Sequence, residues 1–483
     1  MNQLLENIKK NFPQTVRAKI VQIEKTRPDE KNHLAYVSLS EPFKNLANKE
    51  EQKTQLWSRI FDIKYKQSKI NMPEQQFDTG VWQNSYNGKM IDDIQMKEWV
   101  ASSIQKLTPL CHSKTRVLEI GCGTGLIMFP ILNLIGEYVG IDGSDEVIQK
   151  LKSNPSIPSN KTKFYRADAN QVDALDIGKF DLVILHSVVQ YFPSADYLLQ
   201  TINKLEKILS PNSVVFIGDI RSFPLRRYFY ADILLSHPKN DFNIQQLKNE
   251  VDTADLREKE TLLHPLFFRR LSRVFPWISS AQTQMRSGVY LNEMNMFRYD
   301  VMIRCNQTDI VSDDHSIQLK WDETIQKDPF NIVDDSKSLI LTGIPNERLK
   351  HLTFLKDVFT ASHLDTQSVR DLSQKVYQHT EKVEQYQLQD LKSKLEKYYP
   401  HISIEPDLED ETCVTLVCSK NPMTTNQQTL SYELPFDQFS NHVGIVDSQS
   451  DYFKDLHAQQ QPDHSIQAII HLDQKMFDLM SSS

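Results

Sequence analysis

Val117-Leu118-Glu119-Ile120-Gly121-Cys122-Gly123-Thr124-Gly125, followed by Tyr138-Val139-Gly140-Ile141-Asp142, is the stretch from which the fold can be read. The apolar run after Lys114 and Arg116 predicts a buried strand. Three glycines at alternating positions then demand a tight turn that opens bare backbone to close approach, and a helix is expected to begin near Leu126. About twenty residues beyond Gly121 a second buried run ends in Asp142, where a carboxylate at the carboxyl edge of a parallel sheet can accept the hydroxyls of a ribose. The pattern predicts a nucleoside-binding half-fold.

Two ligands compete for such a half-fold, a dinucleotide and S-adenosylmethionine. The dinucleotide fingerprint spaces its glycines G-x-G-x-x-G so that a helix N-terminus faces a pyrophosphate. Here the spacing is G-x-G-x-G, and Leu126 stands at the third dinucleotide position. With Glu119 ahead of the turn, the pattern Glu-x-Gly-x-Gly-x-Gly resembles motif I of class I methyltransferases. A zwitterionic methionine group needs backbone contacts and a carboxylate or water near its ammonium, so S-adenosylmethionine is the expected cofactor. An ordinary strand-turn-helix with no ligand leaves the glycines unexplained in a chain that holds only 13.

At 483 residues the length suits two or three domains. The net charge of -8 and the scattered basic residues argue against a nucleic-acid partner. Arg221 to Arg227, with Arg269, Arg270 and Arg273, lie among aromatics and read as a solvated face before a site. Five cysteines form no C-x-x-C pair, so no metal and no disulfide framework is expected. The N-terminus lacks the apolar core of a signal peptide and no run suits a membrane span, so a cytoplasmic protein is expected.

Residues 1–45 predict a small α/β piece: a helix at Leu4 to Phe12, then strands at Val16 to Ile23 and His33 to Leu39. A polar, helix-prone connector runs from Lys44 to Lys69. The aromatic segment Phe77 to Ile91 has neither period and is either a lid or a packed wrap. Strands follow at Arg116–Gly121, Tyr138–Ile141, Lys163–Arg166, Phe180–Val188 and Ser213–Ile220, separated by helical segments, the pattern of a doubly wound parallel sheet. Asp168, with Ala169 beside it, is placed to meet adenine or else caps a helix. The fourth strand runs into His186-Ser187-Val188-Val189-Gln190-Tyr191, over the expected sulfonium, and Ser194 is an expected N-cap. A helical excursion over 225–275 precedes strands expected at Val289–Asn295 and Phe297–Arg304, the sixth and the antiparallel seventh of the sheet. The Gln/Lys/Glu pattern of 367–397 reads as a solvated helix.

Taken together, Trp82-Gln-Asn-Ser-Tyr-Asn-Gly-Lys-Met-Ile, Val117 to Gly125, Ser187-Val-Val-Gln-Tyr-Phe-Pro-Ser, Gly218-Asp-Ile-Arg-Ser, Asn292-Glu-Met-Asn-Met-Phe-Arg-Tyr-Asp-Val and Gly343-Ile-Pro-Asn-Glu-Arg-Leu resemble the methyltransferase domains embedded in the adenylation domains of nonribosomal peptide synthetases. The match runs from about residue 55 to 430. The resemblance implies a class I, Rossmann-like α/β fold with a mostly parallel seven-stranded sheet, a helical cap insertion, and a small α/β subdomain built from both chain ends. It divides the chain into 1–45 plus 440–483, a remnant of the adenylation C-terminal subdomain with no amino-acid activation expected; 55–110, a lid and helices; 111–305, the core with its insertion at 225–275; and 306–439, a C-terminal α/β extension. It implies an S-adenosylmethionine cofactor held by Tyr86, Glu119, Gly121, Gly123, Gly125, Asp142, Asp168, Ala169 and His186. His186, Tyr191 and Glu293 are the catalytic candidates, and Gln190, Tyr230 and Asn292 the substrate-binding ones.

His186, Tyr230 and Met285 depart from the family pattern, which has Asn, His and a basic residue there. The expected reaction is N-methylation of an amino-acid-derived or peptide-like small molecule, free or bound to a carrier protein, in natural-product biosynthesis. O- or C-methylation of a small metabolite, and a non-catalytic scaffold in a biosynthetic complex with an enzyme partner, stay open.

Overall fold

The computed structural model describes residues 15–23, 32–39, 43–67, 79–80, 82–237, 242–306, 316–322, 324–325, 333, 338–360, 387–420, 439–441 and 467–472. The chain divides into two units, Met1–Leu56 with Val443–Ser483, and Trp57–His442. In the smaller unit β1 (Thr15–Ile23) and β2 (Asn32–Leu39) pair antiparallel, and a strand from the far end of the chain, Gln467–Leu472, pairs antiparallel with β2. The helix predicted at Leu4 to Phe12 lies outside the described residues.

The larger unit is organised by a seven-stranded sheet of β3 (Arg116–Ile120), β4 (Glu137–Asp142), β5 (Thr162–Arg166), β6 (Phe180–His186), β7 (Leu209–Arg221), β8 (Ile278–Met285) and β9 (Arg298–Cys305), in the order β5-β4-β3-β6-β7-β9-β8. Strands β3 to β7 run parallel, and β9 runs antiparallel to both of its neighbours. Successive residues serve opposite faces, as strand geometry requires. Leu118, Ile120, Val183, Leu185, Val215 and Ile217 pack on one side, and Val117, Leu182, Ile184 and Phe216 on the other. Both faces are covered, which accounts for near-continuous apolar runs in these strands. Strand order reverses around β3, so a crevice opens beyond the carboxyl ends of β3, β4 and β6.

Helices start where polar side chains can take up free N–H groups. Ser144 accepts from Val147 N ahead of helix Asp145–Ser153, and Ser194 accepts from Tyr197 N ahead of Ala195–Leu205, as expected. The helix after the glycine turn is shorter than anticipated, Met128–Ile131. Between β7 and β8 the excursion is helical, with Arg226–Ser236, Ile244–Leu256, Pro265–Arg269 and Leu271–Val274.

The sixth strand corrects the sequence reading. It is Ile278–Met285, at the sheet edge, whereas 289–295 is a loop entering the helix Glu293–Met296. The reason is local competition for backbone donors: Glu98 accepts from Val289 N and Tyr290 N, and the Asn292 side chain accepts from Met294 N and Asn295 N.

A second sheet of β10 (Ile317–Lys320), β11 (Leu339–Pro345), β12 (His401–Pro406) and β13 (Cys413–Ser419), ordered β10-β11-β13-β12, forms the C-terminal extension. Of the helix expected over 367–397, residues 367–386 lie outside the described residues and Gln387–Leu395 is helical. No helix among the described residues is long and apolar enough to cross a membrane.

Gly121 adopts φ +76°, and a Cβ there would lie 2.6 Å from Val188 Cγ2. Gly121→Ala is therefore expected to destabilise the fold by more than about 1 kcal/mol, since strain and clash act together. A denaturant titration checks this; an unchanged midpoint would show that the turn yields.

Candidate cofactor and acceptor site

The turn after β3 is held from β4. Gly121 N and Cys122 N donate to Ile141 O, and Gly123 N donates to Asp142 Oδ2 at 3.0 Å, while Asp142 Oδ1 accepts from Ser144 N at 2.8 Å. Gly121, Gly123 and Gly125 all have positive φ, which explains why this turn is written in glycine. Asp142 is thus fixed at the carboxyl edge with one backbone donor on each oxygen, and each oxygen keeps a further lone pair for a ligand hydroxyl. Glu119, 2% exposed, accepts from Tyr138 Oη at 2.5 Å. Burial pushes its carboxyl up to about 8 against the lowering effect of the Tyr138 hydrogen bond.

Asp168 and Ala169 follow β5. Asp168 caps the short turn Ala169–Ala174 in a reciprocal arrangement with Gln171, and its charge also bears on Asp142. Capping and proximity to the crevice are therefore both observed. Glu119, the three glycines, Asp142 and Asp168 stand together.

One wall of the crevice was missed in the sequence. The polar connector is a helix, Phe43–Gln67, and its second half covers the glycine turn. A Cβ on Gly143 would lie 2.6 Å from Ser58 Oγ, and one on Gly123 would lie 3.3 Å from the Tyr65 hydroxyl. Asp62 Oδ1 accepts from Ser144 Oγ at 2.5 Å. Trp57 lies tilted against Tyr191 and Phe61 meets it edge-on, at ring separations of 4.7 and 5.0 Å. Trp57, Phe61 and Tyr65 recur every fourth residue, the signal that marks one helix face within an otherwise polar segment.

Beyond β6, Ser187 takes φ +51° and accepts from Gln190 Nε2 at 2.9 Å. Gln190 Oε1 is buried and has no donor among the described residues. The neighbouring Tyr191 hydroxyl is pushed up by burial and feels the charges of Glu260, Arg298 and Asp219. His186 is elsewhere. It points with Leu182 and Ile184 into the opposite layer, where Nε2 lies 2.7 Å from Ser103 Oγ and Trp99 meets the ring edge-on at 4.7 Å. Burial and the Arg286 charge push its imidazole down to about 4. That makes it a packed, neutral histidine and a poor base.

Glu293 is 5% exposed and accepts from Ser85 N at 2.8 Å and Ser85 Oγ at 2.7 Å, with Arg298 Nη2 at 3.5 Å. Arg298 Nη1 donates to Asp219 Oδ2 at 2.6 Å, and Trp99 Nε1 donates to Asp219 Oδ1. Asp300 Oδ1 accepts from Asp219 N and from Arg286 Nη1, while Lys106 Nζ donates to Asp300 Oδ2 at 2.7 Å. A narrow cleft beside this network is lined by Arg221, Arg226, Phe229, Leu262, Glu293 and Arg298. Arg221 is no solvated residue: it is buried between Glu258 and Glu260 at 2.8 Å each.

The other predicted residues stand back from the cleft. Asn292 is the N-cap of Glu293–Met296 and donates to Gln95 Oε1. Tyr230 packs in the helical insertion, donates to Glu258 Oε2 at 2.6 Å and lies against Phe229, so it borders the cleft through Arg221's partner and Phe229. Tyr86 donates to Asp232 Oδ2 at 2.5 Å and meets Phe229 edge-on, which places it with the insertion. Met285 ends β8, and the basic side chain follows it as buried Arg286.

The crevice fits S-adenosylmethionine by its chemistry. Bare backbone at the turn, the fixed Asp142 carboxylate and aromatic faces for a sulfonium suit that cation. A pyrophosphate would instead face the Asp62, Glu119, Asp142 and Asp168 carboxyls.

Two expectations follow from the buried acids. Glu119 has its folded pKa above the unfolded value, so folding favours its protonated form and stability falls as pH rises from about 4.5 to about 8. Glu119→Gln should raise the melting temperature of cofactor-free protein at pH 8–9 and leave it unchanged below about pH 4.5; no gain at pH 9 refutes the assignment. For Asp300, burial raises the pKa, but Arg286 and Lys106 outweigh it and hold the carboxyl well below the usual range. Its stabilisation is present above the unfolded pKa and lost as pH falls through the acid range. Asp300→Asn should cost about 3–5 kcal/mol at pH 7 in denaturant titrations, with the difference shrinking below about pH 4.

Residues 118–215 match the family model described as a methyltransferase domain. The chain is 34% identical over 230 residues to chondramide synthase cmdD of Chondromyces crocatus, covering 47% of this chain and 6% of that protein. It is 31% identical over 270 residues to the probable non-canonical nonribosomal peptide synthetase CymA of Salinispora arenicola, covering 56% of this chain and 3% of that protein. The chain thus spans a small part of these relatives' length. The plantazolicin methyltransferase BamL, solved with a desmethyl analogue and S-adenosylhomocysteine, is 15% identical over 55% of this chain and 97% of its own, with a TM-score of 0.33. On the domain match, the glycine cradle and the strand order, the chain carries a class I, S-adenosylmethionine-dependent methyltransferase domain related to segments of nonribosomal peptide synthetases.

Proposed function

We propose that this chain methylates a nitrogen of an amino-acid-derived or peptide-like acceptor, free or bound as a thioester to a carrier protein. Similarity to segments of peptide synthetases supports the acceptor class. The observation that carries the choice of nitrogen is Gln190 Oε1, a buried acceptor with no donor among the described residues, beside Tyr191 in the sequence: an amine can give it one N–H and still attack through its lone pair, whereas a hydroxyl has a single hydrogen to give. A buried acceptor without a partner is costly, and an acceptor's N–H satisfies it.

S-adenosylmethionine, when bound, supplies an electrophilic methyl group on a sulfonium. Asp142 would hold the ribose, the glycine turn the methionine group and Asp168 the adenine, with Glu119 among the acids that favour a cation. Trp57, Phe61 and Tyr191 exclude water and offer π faces to positive charge. Glu293 and Gln190 take the acceptor's N–H groups and turn its lone pair toward the crevice, and Glu293 receives the proton that the nitrogen sheds. Such positioning supplies most of what an in-line displacement needs.

Calorimetric titration with S-adenosylmethionine and S-adenosylhomocysteine comes first. Binding that Asp142→Ala abolishes is expected. Aminoacyl thioesters of N-acetylcysteamine, with 15N at the amine, then report where the methyl goes by mass spectrometry. Glu293→Gln should lower kcat by about 100-fold with cofactor affinity unchanged. A folded protein that binds neither molecule would leave the scaffold reading standing, and a methyl found on oxygen or carbon would overturn the choice of nitrogen.

A further inference from the structure

The segment Gly343-Ile-Pro-Asn-Glu-Arg-Leu belongs to the C-terminal extension and takes no part in the cofactor turn. It leaves β11 for the turn Glu347–Leu352, where Asn346 accepts from Arg348 N. Arg348 is 1% exposed. A buried guanidinium is tolerated only when its N–H groups find acceptors in its planar fork. Its two terminal nitrogens find them on backbone: Nη1 donates to Arg286 O at 2.7 Å and Asn295 O at 3.1 Å, and Nη2 donates to Gly288 O at 2.8 Å. These three carbonyls lie in one loop and bracket Glu293.

Glu98 grips the same loop through its donors, accepting from Val289 N, Tyr290 N and Asn295 Nδ2. Gly288 leaves no slack, because a Cβ there would lie 2.4 Å from Asn295 Nδ2 and 2.5 Å from Glu98 Oε1. The loop is thus set by a cation on its carbonyls and an anion on its N–H groups.

We propose that Arg348 is the positioning residue for Glu293, fixing the 286–296 loop so that the carboxylate meets Ser85, Arg298 and the acceptor's nitrogen. This rests on the reading of Glu293 as the acceptor's partner. It gives the extension a part in the reaction: an error of about 1 Å in such a group costs on the order of 100-fold in rate.

The test uses the full chain with Arg348→Gln, Arg348→Lys, Glu293→Gln and the Arg348→Gln/Glu293→Gln pair. Hydrogen–deuterium exchange without ligand is read first. Arg348→Gln should speed exchange at least about tenfold in peptides over 286–297 and over 82–91, where Ser85 N is bonded to Glu293, and leave 117–126 unchanged. Arg348→Lys, which keeps the charge and loses the fork, should fall between. Calorimetry should return the parental affinity for S-adenosylmethionine. With an aminoacyl N-acetylcysteamine thioester that the parent methylates, kcat should fall about 100-fold at an unchanged KM for the cofactor, and the double variant should be no slower than the slower single one. Unchanged exchange in 286–297, loss of protection throughout the seven-stranded sheet, or multiplying losses in the double variant would each overturn the proposal. A parent that binds no S-adenosylmethionine would instead sink the functional reading, and the exchange result would still decide whether Arg348 sets the loop.

Discussion

Asp219 and Asp300 bring two carboxylates into the interior beside β7 and β9, both essentially without solvent exposure, and Arg286, Arg298 and Lys106 surround them. Buried charge is stable only where each partner is held in place, so removing one leaves the others uncompensated. The network therefore acts as a register device. It joins the helix Asp93–Leu107 through Lys106 and Trp99, strand β7 through Asp219, strand β9 through Arg298 and Asp300, and the Glu293 loop through Arg286 and Arg298. Asp219 itself takes φ +64°, a conformation a non-glycine residue keeps only where its surroundings over-determine it.

The two halves of the site use electrostatics differently. Around the glycine turn, carboxyls gather with only partial neutralisation, and burial raises both Glu119 and Asp142. Such a place selects a cationic ligand. On the cleft side every acid meets a base, with Arg221 between Glu258 and Glu260 and Arg298 between Asp219 and Glu293. Gln190 Oε1 and Asn295 Oδ1 are buried acceptors without a donor among the described residues. Tyr191, held between Trp57 and Phe61, stands where the halves meet.

Much of the cofactor end was legible because its chemistry is local. Gly121 needs positive φ, Asp142 must end a strand, and Ser194 must cap a helix; each demand falls on one residue with near neighbours that answer it. The acceptor end was less legible. Glu293 was identifiable as a candidate, yet its partners Ser85 and Arg298 come from opposite sides of it in sequence, Ser85 from 208 residues away. His186 ends β6 as expected, and only the structure shows its ring packed on Ser103 and Trp99. The expected strand at Val289–Asn295 failed because Glu98 and Asn292 claim its backbone donors, a competition no periodicity records.

The sequence by itself determined the five parallel strands of the core, the glycine turn after β3 and the cofactor class, because periodicity, glycine conformation and carboxylate chemistry act over a few residues. Tertiary structure alone decided that residues 57–67 cover the turn, that Arg221 is buried, and that Arg348 reaches the loop bearing Glu293. Those outcomes depend on desolvating charged and aromatic side chains against partners tens to hundreds of residues away, and the cost of burial is set only once the partners are in place.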